Sequence, residues 1–254
     1  MKKIAVTGAA GVIGRYLSAD LARDFEVVRI DLRDTDVIAD VREIAALEAA
    51  FAGCCAVVHL AGASTLAATW TEVHEINIGG TYNVYEAARR SGVEQVVFAS
   101  SNHAVGMFET HGSPAMYEPA AGIIVGTAAE LRPDSFYGVG KAFGEALGRY
   151  YSENFGLRIA CVRIGSILER DTPYGPHPDS IEWLPHLNAA DIAKRYAATW
   201  MSQRDFADLV RAILRHTVPF GIVYGVSDNA TRFWDLEPGR ALYGYWPTDG
   251  ARST

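Results

Sequence analysis

Lys3-Ile4-Ala5-Val6-Thr7-Gly8-Ala9-Ala10-Gly11-Val12-Ile13-Gly14 opens the chain, and a helical pattern continues from it to about Arg23. The first five residues form a short run without polar alternation, as a strand buried on both faces requires. Val12, Ile13, Tyr16, Leu17 and Leu21 then fall on one side of a helix. Between strand and helix stand three glycines with separate tasks. Gly8 permits a tight turn, Gly11 lets backbone approach a pyrophosphate, and Gly14 lets the helix pack close on the strand. The helix N-terminus leaves unpaired N–H groups and a favourable field for phosphate oxygens.

The same rhythm runs outward from this unit. Further strands read at Glu26 to Asp31, Val37 to Ala39, Ala56 to Leu60, Gln95 to Ser100, Leu157 to Ile164 and Ile222 to Tyr224. Helices read at Ile44 to Phe51, Glu72 to Arg90, Ser135 to Asn154 and Gln203 to Leu214. Apolar strands alternating with helices predict an α/β protein: a central parallel sheet covered on both faces. Residues 102–135 and 167–190 break the rhythm without periodicity of their own, and the first of them reads as an active-site loop or lid. They and the end of the chain are expected to form a small C-terminal substrate-covering lobe at the C-terminal edge of the sheet. The expected division is a core with its active-site loop over 1–165 and a lobe over 166–254, with elements returning to the core.

Composition narrows the class. The 254 residues are 49% hydrophobic and 21% charged with a formal net charge of −7, which excludes a disordered or fibrous chain. The acidic balance, and the lack of a Lys/Arg-rich run or zinc-finger spacing, predict no nucleic-acid partner. Cys54, Cys55 and Cys161 fit neither a disulfide framework nor a CxxC site, and the seven histidines show no ligand spacing, so no metal is expected. Met1-Lys2-Lys3 leads straight into the first strand, and no stretch approaches the roughly 20 apolar residues of a membrane span. A cytoplasmic enzyme with no membrane partner is the expectation.

Asp31 closes the second strand, 23 residues after Gly8. A carboxylate there accepts ribose hydroxyls and repels a 2′-phosphate, so the glycine-turn unit reads as a Rossmann dinucleotide site selective for NAD. Arg33 is the one neighbour that favours NADP. Asp40, with Val41 beside it, is placed for the adenine edge. Leu60, Ala61 and Gly62 pass close under the cofactor, and Val12, Ile13 and Ile164 complete its expected wall. Asn77 lies inside a predicted helix, where an amide either faces solvent or holds backbone and water near the site.

Tyr137 and Lys141, four apart on a helix, share one face. A free tyrosine, with a pKa of about 10, is a weak base at neutral pH. A neighbouring ammonium is expected to stabilise the phenolate, and Ser101, past the fifth strand, to donate to the substrate oxygen. Taken with the glycine turn, the trio points to proton transfer coupled to hydride transfer.

The set Thr7-Gly8 through Gly14, Leu60-Ala61-Gly62, Asn77, Ser101, Tyr137 and Lys141 resembles the extended short-chain dehydrogenase/reductase superfamily over the first two thirds of the chain. More narrowly, Phe98-Ala99-Ser100-Ser101-Asn102-His103, Tyr137-Gly138-Val139-Gly140-Lys141, Val162-Arg163-Ile164-Gly165-Ser166, Ala198-Thr199-Trp200, Tyr224 to Asn229 and Phe233-Trp234-Asp235 are similar to the uronate dehydrogenase family. The wording Asn102 to Met107 and Ser227-Asp228-Asn229 also resembles the archaeal-type NAD-dependent glucose-6-phosphate dehydrogenases. The resemblance implies oxidation of the C1 hemiacetal of a hexuronate to a lactone by NAD. It makes Ser101, Tyr137 and Lys141 catalytic and gives Ser64, Ser101, Asn102, His103, Ser166 and Arg195 the sugar, with Arg195 on the carboxylate. It also implies a homodimer or larger, paired through the helices after the fourth and fifth strands. Three alternatives stay open. One is a glucose-6-phosphate or neutral aldose 1-dehydrogenase, the phosphate served by His111, Arg132, His177 and His186, with the chain's end at Thr254 leaving the C6 side open. The others are a nucleotide-sugar epimerase or dehydratase and a non-catalytic NAD-binding regulator.

Overall fold

The computed structural model describes residues 1–252; Ser253 and Thr254, the end of the expected lobe, lie outside the described residues. Seven strands form one parallel sheet: β1 (Lys3–Thr7), β2 (Glu26–Asp31), β3 (Val37–Ile38), β4 (Ala56–His59), β5 (Gln95–Ser101), β6 (Arg158–Ile164) and β7 (Phe220–Gly225). Their spatial order is β3-β2-β1-β4-β5-β6-β7, with the chain reversing direction across the sheet beside β1. This is the Rossmann arrangement expected from the sequence.

Alternation along the strands decides which helices cover which face. Ala5, Val57, Val96, Phe98 and Ile159 point to one side and pack on Leu47 and Phe51 of α2 (Ile44–Phe51), Val84 and Tyr85 of α4 (Gly80–Arg90), and Tyr151 of α6 (Phe136–Phe155). Ile4, Val6, Val58, Val97 and Val162 point to the other and pack on Leu17 and Leu21 of α1 (Val12–Leu21) and on Phe206, Val210 and Ile213 of α8 (Gln203–Arg215). Each fully buried Val, Leu, Ile or Phe among them contributes about 1.5–3 kcal/mol. The outward faces of α4 and α6 expose Tyr82, Tyr150 and Phe155, where the pairing expected from the sequence would form. Among the described residues no helix is long and apolar enough to cross a membrane.

Two departures from the expected elements bear on the site. The helix read as Glu72 to Arg90 starts earlier, as the short α3 (Trp70–Glu72), and passes through a π-helical segment (Val73–Gly79) before α4. Three further helices, α5 (Met107–Gly112), α7 (Ala189–Thr199) and α9 (Glu237–Tyr243), occupy stretches with no clear sequence period. Of these α7 does carry a start signal, the reciprocal capping box of Asn188 and Asp191. The lobe has its own apolar cluster, joining Val105, Met116 and Tyr117 to Leu184, Ile192, Ala198, Phe233 and Trp234. It thus draws on residues before position 165, while α8 and β7 after it belong to the sheet and its covering layer.

Candidate active site

The cofactor side is built largely from backbone. Gly8 has a left-handed φ of +71°, and a Cβ there would come within 2.6 Å of Ala61 N, so the segment after β4 is pressed against the turn. A side chain on Gly14 would overlap the Gly8 carbonyl oxygen. Gly11 precedes α1 without any side-chain cap, which leaves first-turn N–H groups free for an anion. Asp31 holds this turn from the side: Oδ2 accepts from Ala10 N at 2.9 Å and Oδ1 from Leu32 N at 2.7 Å. Its carboxylate lies in a cleft with Gly8, Gly11, Asp40, Val41 and Ala61. Asp40 is not a free acceptor there. Arg42, which the sequence reading did not single out, pairs with it at 2.6 Å, reaches Glu75 at 3.5 Å and holds the Asp40 carboxyl below its usual range. Arg33 is exposed and only skirts Asp34.

An adjoining cavity gathers Val12, Ile13, Gly14, Leu60, Gly62, Ser64, Ser101, Tyr137, Lys141 and Ile164. Asn77 is buried beside it. Its Oδ1 accepts from Ala63 N at 2.7 Å and its Nδ2 donates to Ala63 O at 3.1 Å, so it clamps the segment after β4 rather than facing solvent. A Cβ on Gly62 would sit 3.2 Å from Asn77 Oδ1 and 3.8 Å from Lys141 Nζ. Glycine is what lets these three groups converge.

Lys141 Nζ donates to Ala99 O at 2.7 Å and lies 5.4 Å from the centre of the Tyr137 ring. Burial pushes the Tyr137 hydroxyl up to about 12, with Ser101 opposing the rise, and pushes Lys141 down to about 8. The expected lowering of the tyrosine by the lysine ammonium is therefore not realised in this arrangement: desolvation prevails, and the ammonium is spent on the Ala99 carbonyl. Ser101 Oγ meanwhile accepts from His103 N and donates to Asn102 Oδ1, both at 3.2 Å.

One turn beyond Lys141, Glu145 forms a fully buried pair with Arg163 of β6 at 2.8 and 2.9 Å and accepts from Ser100 Oγ at 2.6 Å. A buried charge left unpaired is strongly destabilising, so this pair fixes the register of α6 against β5 and β6, and with it the direction of Tyr137 and Lys141. The sequence reading missed Glu145. Its spacing from Lys141 was the available sign.

A second cavity is built from side chains: Leu66, Asn102, His103, Ser166, Trp183, Arg195 and Tyr196 line it. His103 Nδ1 meets Asp134 Oδ2 at 2.7 Å, and its ring stands between Tyr137 and Trp183 at 6.0 and 4.9 Å. Asn102 Nδ2 is buried with no partner among the described residues. Ser166 Oγ meets Thr199 Oγ1 of α7 at 2.9 Å. Arg195, also on α7, lies 4.8 Å from the Trp183 ring. Its Nε is 2.9 Å from Glu109 Oε1, an ion contact because the N–H points off that line, and its Nη2 donates to Oε2 at 3.4 Å. Glu109, Tyr117 and Trp183 come from the aperiodic segments and were not foreseen. Of the four extra donors considered for a phosphate, none lines this cavity: His111 faces Arg132, His186 faces Ser113 and His177 stacks on Tyr196. Among the described residues no group of three or more His, Cys, Asp or Glu side chains is placed to hold a metal ion.

Comparison with known proteins places this cleft in context. An L-arabinose 1-dehydrogenase (NAD(P)(+)) of Haloferax volcanii is 39% identical over 99% of this chain and 98% of its own length. An NAD-dependent glucose-6-phosphate dehydrogenase of the same organism is 34% identical over 98% and 94%. A uronate dehydrogenase from Agrobacterium tumefaciens, solved as a mutant complexed with NAD, is 34% identical, superimposes with a TM-score of 0.79 and is matched over 99% of this chain and 86% of its own. The model of the NAD dependent epimerase/dehydratase family matches residues 4–218. The chain belongs to the NAD dependent epimerase/dehydratase family.

Proposed function

We propose that this chain is an NAD-dependent sugar 1-dehydrogenase that oxidises the C1 hemiacetal of a hexuronate or a related aldose to a lactone. One observation carries the reading: Ser101, Tyr137 and Lys141 share a single cavity with the glycine turn and the N-terminus of α1, next to a second cavity lined by polar side chains. Bound NAD supplies a hydride acceptor at its nicotinamide ring. Tyr137, as its phenolate, would take the proton from the C1 hydroxyl and become the neutral phenol while the C1 hydrogen leaves as hydride. Ser101 would hold that oxygen while it becomes the lactone carbonyl, and Lys141 would offset the charge of the phenolate before the transfer. The ring oxygen is untouched, so the product is a lactone. Asp31, facing the ribose side of the cleft, supports NAD over NADP.

The three relatives are named for arabinose, glucose 6-phosphate and a uronate. These sugars share the C1 hydroxyl and differ at the far end, which supports the reaction more firmly than any one substrate. Arg195 by itself would suit a hexuronate carboxylate, but Glu109 already occupies that arginine, which favours a neutral aldose within the same reaction. The test is NADH formation by the purified protein on glucuronate, galacturonate, glucose, galactose, arabinose and glucose 6-phosphate. One NADH per sugar consumed is expected. Turnover without net NADH would instead identify an epimerase or dehydratase, and NAD binding without turnover of any sugar would identify a regulator.

A further inference from the structure

Arg195 is 5% exposed, and a guanidinium so far from water requires a negative partner. In a pocket for an acidic sugar the substrate itself can be that partner. Here the protein provides it: Glu109 is fully buried, and among the described residues it is the only carboxylate within 4 Å of Arg195. Tyr117 donates to Glu109 Oε1 at 2.8 Å, and its ring packs on Phe233 in the lobe cluster, so Glu109 is held from behind. Among the described residues that line the cavity the only other side chain with a full charge is the exposed Glu182.

We infer that Glu109 is a specificity-determining residue: it neutralises Arg195 from inside the protein, so that the pocket takes an uncharged sugar in preference to the corresponding uronate. The inference rests on the C1-oxidation reading and sharpens its substrate class. A substrate carboxylate would set two carboxylates against one guanidinium. A sugar hydroxyl meets no such opposition and can still accept from Arg195, whose Nη1 has no hydrogen-bond partner among the described residues. Glu109 touches no reacting atom. It acts through Arg195, and its removal is expected to act on KM rather than kcat.

The experiment compares galactose with galacturonate and glucose with glucuronate, pairs that differ only in a hydroxymethyl or carboxylate at C6. In the unmutated enzyme kcat/KM is expected to favour the neutral member of the better pair by about tenfold or more, as like-charge juxtaposition in a pocket demands. Glu109→Gln should shrink that ratio by about tenfold, chiefly through a lower KM for the uronate. Tyr117→Phe, which keeps the carboxylate charge, should leave the ratio nearly unchanged. A wild-type preference for the uronate, or a folded Glu109→Gln protein with an unaltered ratio, overturns the inference. If Glu109→Gln does not fold, the wild-type ratio decides. Binding of the same sugars to the enzyme–NADH complex separates the two readings: sugars bound in the expected order without turnover leave Glu109 its role and overturn C1 oxidation.

Discussion

The two sides of the cleft are made by different means. On the cofactor side, glycines, a bare helix N-terminus and the backbone after β4 do the shaping, and a few side chains such as Asp31 and Asn77 pin that backbone. On the sugar side nearly every polar group is a side chain already engaged with another: His103 with Asp134, Ser166 with Thr199, Arg195 with Glu109. The cofactor side can therefore be recognised from which residues are present. The sugar side depends on which residues meet. Tyr137 and Lys141 stand at the border, and substitutions there separate the halves most sharply.

The largest effect is expected from Tyr137→Phe. Losing a positioned general base costs roughly 10²- to 10⁴-fold in rate. NAD affinity, read by fluorescence titration, should barely change. A variant retaining a tenth of the wild-type kcat would remove Tyr137 from the chemistry.

The pair's ionisation gives the next largest. Burial holds the tyrosine at about 12 and the lysine at about 8, so the phenolate that accepts the proton is a minor form throughout the neutral range. Oxidation should accordingly rise with pH across the neutral and alkaline range, by up to about tenfold per unit. Lys141→Met removes the cation beside the tyrosine and should lower kcat at every pH while keeping the alkaline rise. Initial rates from pH 6 to 10 check both; a flat profile, or one rising toward acid, contradicts the assignment.

These residues could be singled out from sequence because each sits at a fixed offset from a regular element: Gly8 and Gly14 after β1, Asp31 at the end of β2, Ser101 at the end of β5, Tyr137 and Lys141 one turn apart on α6. The uniform runs of the strands and the period of the long helices likewise fixed the order of layers. What stayed hidden is the partnership of distant residues. Glu109 lies in a six-residue helix too short to show a period, and it meets Arg195 from the far side of the tyrosine motif. Glu145 and Arg163 are ordinary charges in sequence and become a buried pair only when α6 packs across β6. Arg42 on Asp40 is equally invisible until the loop after β3 is placed. The helix bearing Arg195 did announce itself, through Asn188 and Asp191, and a search for caps would have found it.

A smaller effect belongs to the cofactor side alone. Asp31→Ala removes the acceptor for Ala10 and Leu32 as well as the group set to repel a 2′-phosphate. Loosening of the turn affects NAD and NADP alike, so the ratio of their kcat/KM values isolates the charge. That ratio should fall by about tenfold, the scale of one charge-assisted contact. Equal use of NAD and NADP by the unmutated enzyme would sink the selectivity assigned to Asp31.

The smallest effect tests whether the two sides are independent at all. Asn188 Oδ1 accepts from Ala190 N at 2.9 Å and from Asp191 N at 3.0 Å, while Asp191 reaches back to Asn188 N at 3.3 Å. Asn188→Ala strips this cap from α7, which carries Arg195 and the Thr199 that backs Ser166, and caps of this kind contribute about 0.5–2 kcal/mol. Helix α7 packs within the lobe cluster through Ile192 and Ala198 and contributes no residue to the glycine-turn cleft. Fraying of its first turn should then raise the KM for the sugar a few-fold, leave NAD affinity as it was and lower the melting temperature slightly. The direction follows from where the cap sits: it stabilises the element that brings Arg195 to the second cavity and contributes nothing to the glycine-turn cleft. If NAD binding weakens by the same factor as sugar binding, the lobe and the core share one stability, and a boundary between a backbone-built half and a side-chain-built half has no energetic meaning.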